Sequence, residues 1–301
     1  MLNAVVSKYT ASGNAVWQWR QRSRRQAIAH QVDPDEVDWV LLTVSDLDRL
    51  ALRLETVQRR QTVALTLPLS TLAERWQQRM TQRSPVQYVT GKAPWRDFEL
   101  LVSPAVLIPR PETERLIDLV QQATQAQPLL QRGNWADLGT GSGAIALGLA
   151  TVLPDAAIYA VEYSPDALAI AQQNAKQHQL DARIQFYQGS WFGPLQPLRG
   201  QLGGMVSNPP YIPTGLLPQL DPEVQHDPQL ALDGGDDGLE AMRQLVANAP
   251  DYLISGGIWL VETMMGQTDA VADLLDRGPY SNIRIFEDLA GVTRFVLAYR
   301  L

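Results

Sequence analysis

The sequence predicts an α/β protein: a seven-stranded, mainly parallel sheet with helices on both faces, preceded by a small helical domain and a linking β-hairpin. Three observations lead to this prediction. Strand-like and helix-like segments alternate through the C-terminal two thirds of the 301 residues. Residues 1–96 carry 14 Lys and Arg against 8 Asp and Glu, whereas residues 97–301 carry 11 against 24, which indicates two domains with different roles. Prolines at positions 94, 104, 109 and 111 mark the boundary between them.

The helical domain is predicted over residues 1–93. Apolar residues recur at helical spacing over 11–84, so this whole stretch is expected to be helical. Asp33-Pro34-Asp35-Glu36 has the pattern of an N-cap followed by proline at the first helical position, and Ser70 begins the last helix after Pro68. The basic residues of the first helix fit either a docking face or a solvated surface. They are Arg20, Arg22, Arg24 and Arg25.

Residues 94–111 are predicted to form the hairpin linker, because alternating and β-branched residues lie between the prolines. Residues 112–301 then form the sheet domain. Its strands are expected at 135–138, 157–161, 183–187, 205–207, 258–261, 282–286 and 294–298, and its helices at 144–152, 165–179, 238–252 and 267–275. Parallel strands need crossover helices, and the last two strands have no room for one, so they should pair antiparallel at an edge.

Charge and composition exclude several classes of protein. A net charge of −7 argues against stable binding of nucleic acid, whose phosphates select basic surfaces. No apolar run approaches the roughly 20 residues that span a bilayer, and no signal peptide is recognisable, so a cytoplasmic protein that does not bind membranes is expected. Without cysteines, and with three widely separated histidines, no metal site is predicted.

A glycine-rich loop, Asp137-Leu138-Gly139-Thr140-Gly141-Ser142-Gly143, follows the first predicted strand. Glycines let the backbone turn sharply and approach a ligand, and ligands of such sheets lie at the carboxyl ends of the strands. The spacing G-x-G-x-G differs from the dinucleotide fingerprint G-x-G-x-x-G. Asp137 suits a ligand with a cationic amino-acid end. The next strand ends in Glu162, a position where a carboxylate binds the ribose hydroxyls of nicotinamide or adenosyl cofactors.

The fourth predicted strand runs into Asn208-Pro209-Pro210-Tyr211. The two prolines fix a rigid turn and remove two backbone donors. The Asn208 carboxamide oxygen and the Pro209 carbonyl can accept both hydrogens of a planar NH2 group, which frees the nitrogen lone pair to attack a sulfonium methyl group. Tyr211 can stack on the planar group. Asn208, Pro209 and Tyr211 are therefore the candidate catalytic residues.

With both motifs present, the sequence resembles the peptide chain release factor glutamine methyltransferases, the PrmC/HemK family. The resemblance covers most of the chain and includes residues 85–91, 108–114, 231–239 and 288–291. It implies a class I, Rossmann-like methyltransferase fold with S-adenosylmethionine as cofactor. The residues implied to contact the cofactor are Gly139, Thr140, Gly141, Ser142, Gly143, Glu162, Trp191 and Asn208. Asn208, Pro209, Pro210 and Tyr211 would hold the glutamine of the Gly-Gly-Gln loop of class 1 release factors, which the helical domain would help to bind.

Three positions depart from the family pattern: Ser190 replaces an aspartate, Met264 replaces a glycine, and His226-Asp227-Pro228 replaces a glutamate-proline pair.

Other functions also remain open. A DNA or RNA exocyclic-amine N-methyltransferase shares the acceptor turn, but the −13 balance of residues 97–301 disfavours it. The glycine spacing disfavours a nicotinamide-dependent dehydrogenase. The two intact motifs disfavour a binding or assembly protein that has lost its activity.

Overall fold

The computed structural model describes residues 8–301, which form two compact units. The first unit contains the described residues up to Lys92 together with Pro222–His226. The second contains Ala93–Asp221 and Asp227–Leu301. The short segment 222–226 thus belongs to the first unit, although the chain on either side of it belongs to the second.

The first unit is built from helices around a buried aromatic pair. The helices are α1 (Gly13–Ala29), α2 (Glu36–Val44), α3 (Arg49–Arg53), α4 (Leu69–Gln82) and α5 (Val86–Thr90). Trp19 and Trp76 are almost fully buried and meet edge to face, with ring centroids 6.2 Å apart. The Ser12 hydroxyl caps α1 by accepting the N–H of Ala15.

The expectation that residues 11–84 are helical throughout is wrong at Val63–Leu65. This segment is a strand, β2, which pairs antiparallel with β1 (Tyr9–Ala11). Val63 and Leu65 are fully buried while Ala64 between them is not, the period-two burial of a strand. The pattern at Asp33 predicts a helix that starts at Pro34, but α2 begins two residues later, at Glu36. The Asp33 carboxylate accepts the Asp35 N–H in the turn before the helix.

Ion pairs neutralise half of the basic run on α1. Arg20 donates two hydrogen bonds to Asp38, at 2.6 and 2.7 Å, and is only 7% exposed. Arg24 contacts Asp35 at 3.2 Å. Arg22 and Arg25 remain exposed, so only these two members of the run are available to a partner.

A β-hairpin of β3 (Lys92–Trp95) and β4 (Phe98–Leu101) leads into the second unit. The large sheet that follows has the strands β5 (Asn134–Leu138), β6 (Ala157–Glu162), β7 (Ile184–Gln188), β8 (Leu202–Ser207), β9 (Leu253–Glu262), β10 (Tyr280–Glu287) and β11 (Thr293–Arg300). The helices of this unit are α6 (Glu114–Ala126), α7 (Ala144–Val152), α8 (Pro165–Gln177), α9 (Gln229–Leu232), α10 (Glu240–Asn248) and α11 (Thr268–Asp276).

The seven strands lie in the order β10-β11-β9-β8-β5-β6-β7, which confirms the predicted mainly parallel sheet. β10 and β11 pair antiparallel at one edge, as expected from their short connection. Alternate residues of β5 enter two separate hydrophobic clusters, Trp135 with helices α6 and α7, and Ala136 with α10 and α11. β5 lies between β6 and β8. The strands β6 and β7 are on one side of β5 and the later strands on the other, so the strand order switches sides at β5. Ligands of doubly wound sheets bind at such a switch point.

Within residues 8–301, no helix combines the length and the apolar character that crossing a membrane requires.

Candidate active site

A cavity of about 510 Å³ opens at the carboxyl ends of β5, β6 and β8, within the second unit. Its volume lies in the range of small-molecule sites. Residues of all the predicted cofactor elements line it: Gly139 to Ser142, Glu162, Trp191 and Asn208. Gly143 does not line the cavity; it is the N-cap of α7 and packs against α8.

The glycine loop owes its shape to left-handed backbone conformations. Gly139, Gly141 and Gly143 have φ values of 78°, 55° and 86°. Side chains strongly disfavour these values, and the G-x-G-x-G spacing supplies glycine at each of them. A side chain at Gly141 would meet no protein atom within 4 Å, so the loop leaves room for a ligand there.

Asp137 is part of the loop's support. It is fully buried and does not line the cavity. Its Oδ2 accepts the Thr140 hydroxyl at 2.5 Å and the Ala146 N–H at 2.9 Å. Burial raises the pKa of Asp137 to about 7. The carboxyl group of Asp137 therefore joins the loop to the start of α7, and its suitability for a cationic ligand stays a prediction.

Glu162 lies at the end of β6, on the cavity wall, as the sequence predicted. Its Oε2 accepts the Gly141 N–H and its Oε1 accepts the Ser164 N–H, both at 2.9 Å. A carboxylate offers about four acceptor positions, so each oxygen retains capacity for a further donor. Glu162 thus fixes the glycine loop and still has room for two ligand hydroxyls.

The Asn-Pro-Pro-Tyr turn contributes Asn208 and Pro210 to the cavity wall. The Asn208 Nδ2 donates to Thr113 Oγ1 at 3.2 Å. Pro209 and Tyr211 are not part of the wall; the Tyr211 hydroxyl donates to Glu262 Oε1 at 3.4 Å. Burial, with Glu262 nearby, raises the pKa of Tyr211. The turn therefore presents Asn208 and Pro210 to the cavity and anchors Tyr211 in the protein.

Two residues without a predicted role support this turn, one at the end of β9 and one directly before α11. Glu262 ends β9, is 2% exposed, and has its pKa raised to about 7 by burial, against the opposing effects of the Thr113 hydroxyl and Arg294. Gln267 donates to the Tyr211 carbonyl at 2.9 Å and accepts the Met264 N–H at 3.1 Å. Glu262 could have been found by the rule that identified Glu162, a carboxylate at the carboxyl end of a strand.

The three departures from the family pattern have structural consequences. Met264 does not adopt a positive φ, so the turn after β9 does not need a glycine at this position. Asp227 accepts hydrogen bonds from Arg110 and from the Ile108 N–H, and so holds the segment that precedes Thr113. Ser190 is exposed and lines the cavity beside Trp191.

The loop 231–239 packs against the residues that follow Tyr211. Asp233 accepts the Thr214 hydroxyl at 2.7 Å, and Ile212 exchanges backbone hydrogen bonds with Leu232 and Gly234.

Among the side chains of residues 8–301, no group of three or more His, Asp or Glu has an arrangement that could hold a metal ion.

Comparisons with known proteins show which family this chain belongs to. A methyltransferase domain family matches residues 132–199. The release factor glutamine methyltransferase of Synechocystis sp. is 50% identical over 299 residues, covering 98% of this chain and 100% of the relative. The protein of the same name from Gloeobacter violaceus is 42% identical, covering 93% and 96%.

The structure of the hMettl16 catalytic domain in complex with MAT2A 3′UTR hairpin 6 superposes with a TM-score of 0.57 over 86% of this chain and 88% of that one. At 14% identity this likeness concerns the fold alone. The identity of 50% and 42% to the Synechocystis and Gloeobacter violaceus proteins, over nearly the whole chain, shows that this chain belongs to the release factor glutamine methyltransferase family.

Proposed function

We propose that this protein transfers a methyl group from S-adenosylmethionine to the side-chain amide nitrogen of a glutamine in class 1 release factors, within the Gly-Gly-Gln loop. One observation carries the proposal: the glycine loop, Glu162 and Asn208 line the same cavity. The names of relatives at 42–50% identity over nearly the whole chain support the choice of substrate.

The residues of the cavity fit the cofactor. S-adenosylmethionine supplies a methyl group on a cationic sulfonium. The two free acceptor positions of Glu162 suit the ribose hydroxyls, and the open space at Gly141 suits close approach of the methionine part. Trp191 offers an aromatic face near Gly139, with the ring 3.5 Å from where a Cβ would lie.

The proposed reaction requires an amide nitrogen to act as a nucleophile. Its lone pair is delocalised into the carbonyl group, so acceptors must hold the NH2 hydrogens and orient the nitrogen towards the methyl carbon. Asn208 provides such an acceptor on the cavity wall. With the cofactor bound, the new N–C bond would form as the C–S bond breaks, the sulfur would keep the electron pair as a neutral thioether, and the cationic nitrogen would then release its proton to water. The Pro209 carbonyl is proposed as the second acceptor, and Pro210 and Tyr211 as the rigid support of both.

We also propose that the first unit binds the release factor. The positive balance of residues 1–96 and the exposed Arg22 and Arg25 support this role. Replacing both arginines by glutamate in the full chain should raise the KM for the intact release factor several-fold and leave the KM for S-adenosylmethionine unchanged. Arg132→Glu, an exposed arginine of the second unit, is the matched control. An unchanged KM for the release factor would exclude this surface.

The direct test of the proposed function offers labelled S-adenosylmethionine with release factors, duplex DNA and RNA in parallel. Label is expected in the release factor alone. Label in the nucleic acid but not in the release factor would instead establish the exocyclic-amine methyltransferase, which uses the same acceptor turn.

A further inference from the structure

The orientation of one carboxamide decides whether the proposed chemistry works. Asn208 can accept a substrate hydrogen only if its oxygen faces the cavity and its NH2 group faces the protein. The two ends of a carboxamide are similar in size, so their hydrogen-bond partners determine which way the group points. In this structure the NH2 end faces Thr113, with 3.2 Å between Nδ2 and Oγ1.

Thr113 alone does not determine this orientation. A hydroxyl group has one hydrogen and two lone pairs, so it can accept from an NH2 group or donate to a carbonyl oxygen. If the Thr113 hydrogen pointed at Asn208, the flipped carboxamide would be equally well bonded. The orientation therefore depends on which group takes the Thr113 hydrogen. Thr113 is 4% exposed, so this acceptor has to be a protein atom or a trapped water.

The carboxyl group of Glu262 is a candidate for this acceptor. Glu262 is 2% exposed, and its Oε2 has no hydrogen-bond partner among the described residues. Burial disfavours the ionised form of this carboxyl group and raises its pKa to about 7, whereas the nearby Thr113 hydroxyl favours the ionised form. Arg294 also favours the ionised form, whereas Glu112 disfavours it. A buried acceptor without a donor is costly, and the Thr113 hydrogen removes that cost.

We infer that Thr113 and Glu262 are positioning residues for methyl transfer: Glu262 takes the hydroxyl hydrogen of Thr113, which leaves Thr113 only lone pairs to offer Asn208. The NH2 group of Asn208 is thereby held against the protein and its oxygen faces the substrate. Glu262 also accepts the Tyr211 hydroxyl, so one carboxyl group secures both ends of the Asn-Pro-Pro-Tyr turn. Neither residue needs to touch the substrate. The inference rests on the function proposed above.

The test compares kcat at saturating cofactor and release factor for variants of the full chain. Thr113→Val keeps the shape and removes the hydroxyl, and we expect kcat to fall roughly 10- to 100-fold with little change in the KM for S-adenosylmethionine. Thr113→Ser should restore most of the rate. Glu262→Met, which removes both acceptor oxygens and with them the contact to Tyr211, should be at least as slow as Thr113→Val, and Glu262→Gln should lie between Glu262→Met and wild type. The control is Thr124→Val, since Thr124 is equally buried and its hydroxyl bonds only to backbone carbonyls of α6.

The double variant Thr113→Val/Glu262→Met gives the strictest result. Because both residues act through one hydrogen bond, it should be no slower than the slower single variant. Full kcat in either folded single variant, a Ser variant as slow as the Val variant, or losses that multiply would each overturn the inference. If Thr113→Val does not fold, Glu262→Met decides in the same way. If the wild-type protein itself does not methylate the release factor, the proposed function fails; if it does and the variants are equally fast, only this inference fails.

Discussion

Replacing Glu162 by glutamine changes one oxygen of the cavity wall into an NH2 group. The carboxylate has two oxygens, and each already accepts one backbone N–H, from Gly141 and from Ser164. About two acceptor positions therefore remain for the ribose hydroxyls of the cofactor. The glutamine side chain is neutral and keeps one oxygen, so one charge-assisted hydrogen bond to the cofactor is lost together with one of the two backbone N–H bonds.

Such a bond contributes roughly 1.5–3 kcal/mol, which corresponds to a Kd for S-adenosylmethionine that is about 10- to 150-fold higher. Titration calorimetry measures it, with the Tm of the cofactor-free protein as a check on folding. Asp181→Asn removes an exposed charge elsewhere on the second unit and should leave the Kd unchanged. NAD should give no binding isotherm with any of the proteins. A folded Glu162→Gln variant whose Kd stays within twofold of wild type would refute the assignment.

Three further perturbations test other parts of the structure. Asn208→Ala should lower kcat at saturating cofactor by roughly 100- to 1,000-fold while the Tm is kept, as for a lost transition-state hydrogen bond; steady-state kinetics with less than a tenfold loss would argue against its role. Asn174 is fully buried and bonds to the N–H and C=O of Leu101, at 2.7 and 3.1 Å, and to the Ser142 carbonyl at 2.8 Å. Asn174→Ala should therefore cost roughly 2–4 kcal/mol of stability in urea unfolding, and an unchanged midpoint would contradict this. The pKa of Glu262 is raised to about 7 from an ordinary value of 4.5. The buried protonated form therefore stabilises the protein at low pH, and this stabilisation is lost as the pH rises from about 4.5 through 7. Glu262→Gln lacks this loss, so its Tm relative to wild type should rise by several degrees between pH 5 and pH 8; a constant difference would show that the carboxyl group titrates normally.

The strands of the large sheet were predictable because both faces of the sheet are covered. Such strands are continuous apolar runs, and each predicted strand lies within or close to an observed one. β9 is longer than predicted, since it begins at Leu253. Its first half contains Ser255, Gly256 and Gly257, which are not typical of a strand, so only the apolar second half was predicted. Helix α6 was not predicted at all. Its buried residues Leu116, Ile117 and Val120 have the helical spacing that predicts such a helix.

From the residues alone, the cavity wall was predictable where a motif lies at the end of a strand, whereas Trp191 was implied only by the family resemblance. Glu162 and Asn208 lie there, and the fold brings them to one cavity. The partners of the Asn-Pro-Pro-Tyr turn are far away in sequence: Thr113 is 95 residues from Asn208, and Glu262 is 51 residues from Tyr211. Periodicity and local spacing carry no information about such pairs. The direction of the Tyr211 side chain likewise depends on Glu262, which the motif itself does not contain.

The most direct measurement of the central claim is mass spectrometry of a release factor after incubation with this protein and S-adenosylmethionine. The proposed mechanism predicts one added methyl group on the side-chain amide of the glutamine in the Gly-Gly-Gln loop. It also predicts no modification when that glutamine is replaced by glutamate, because a carboxylate has no nitrogen to methylate. Methylation of the glutamate variant at the same position, or of a different residue in the wild-type release factor, would contradict the mechanism.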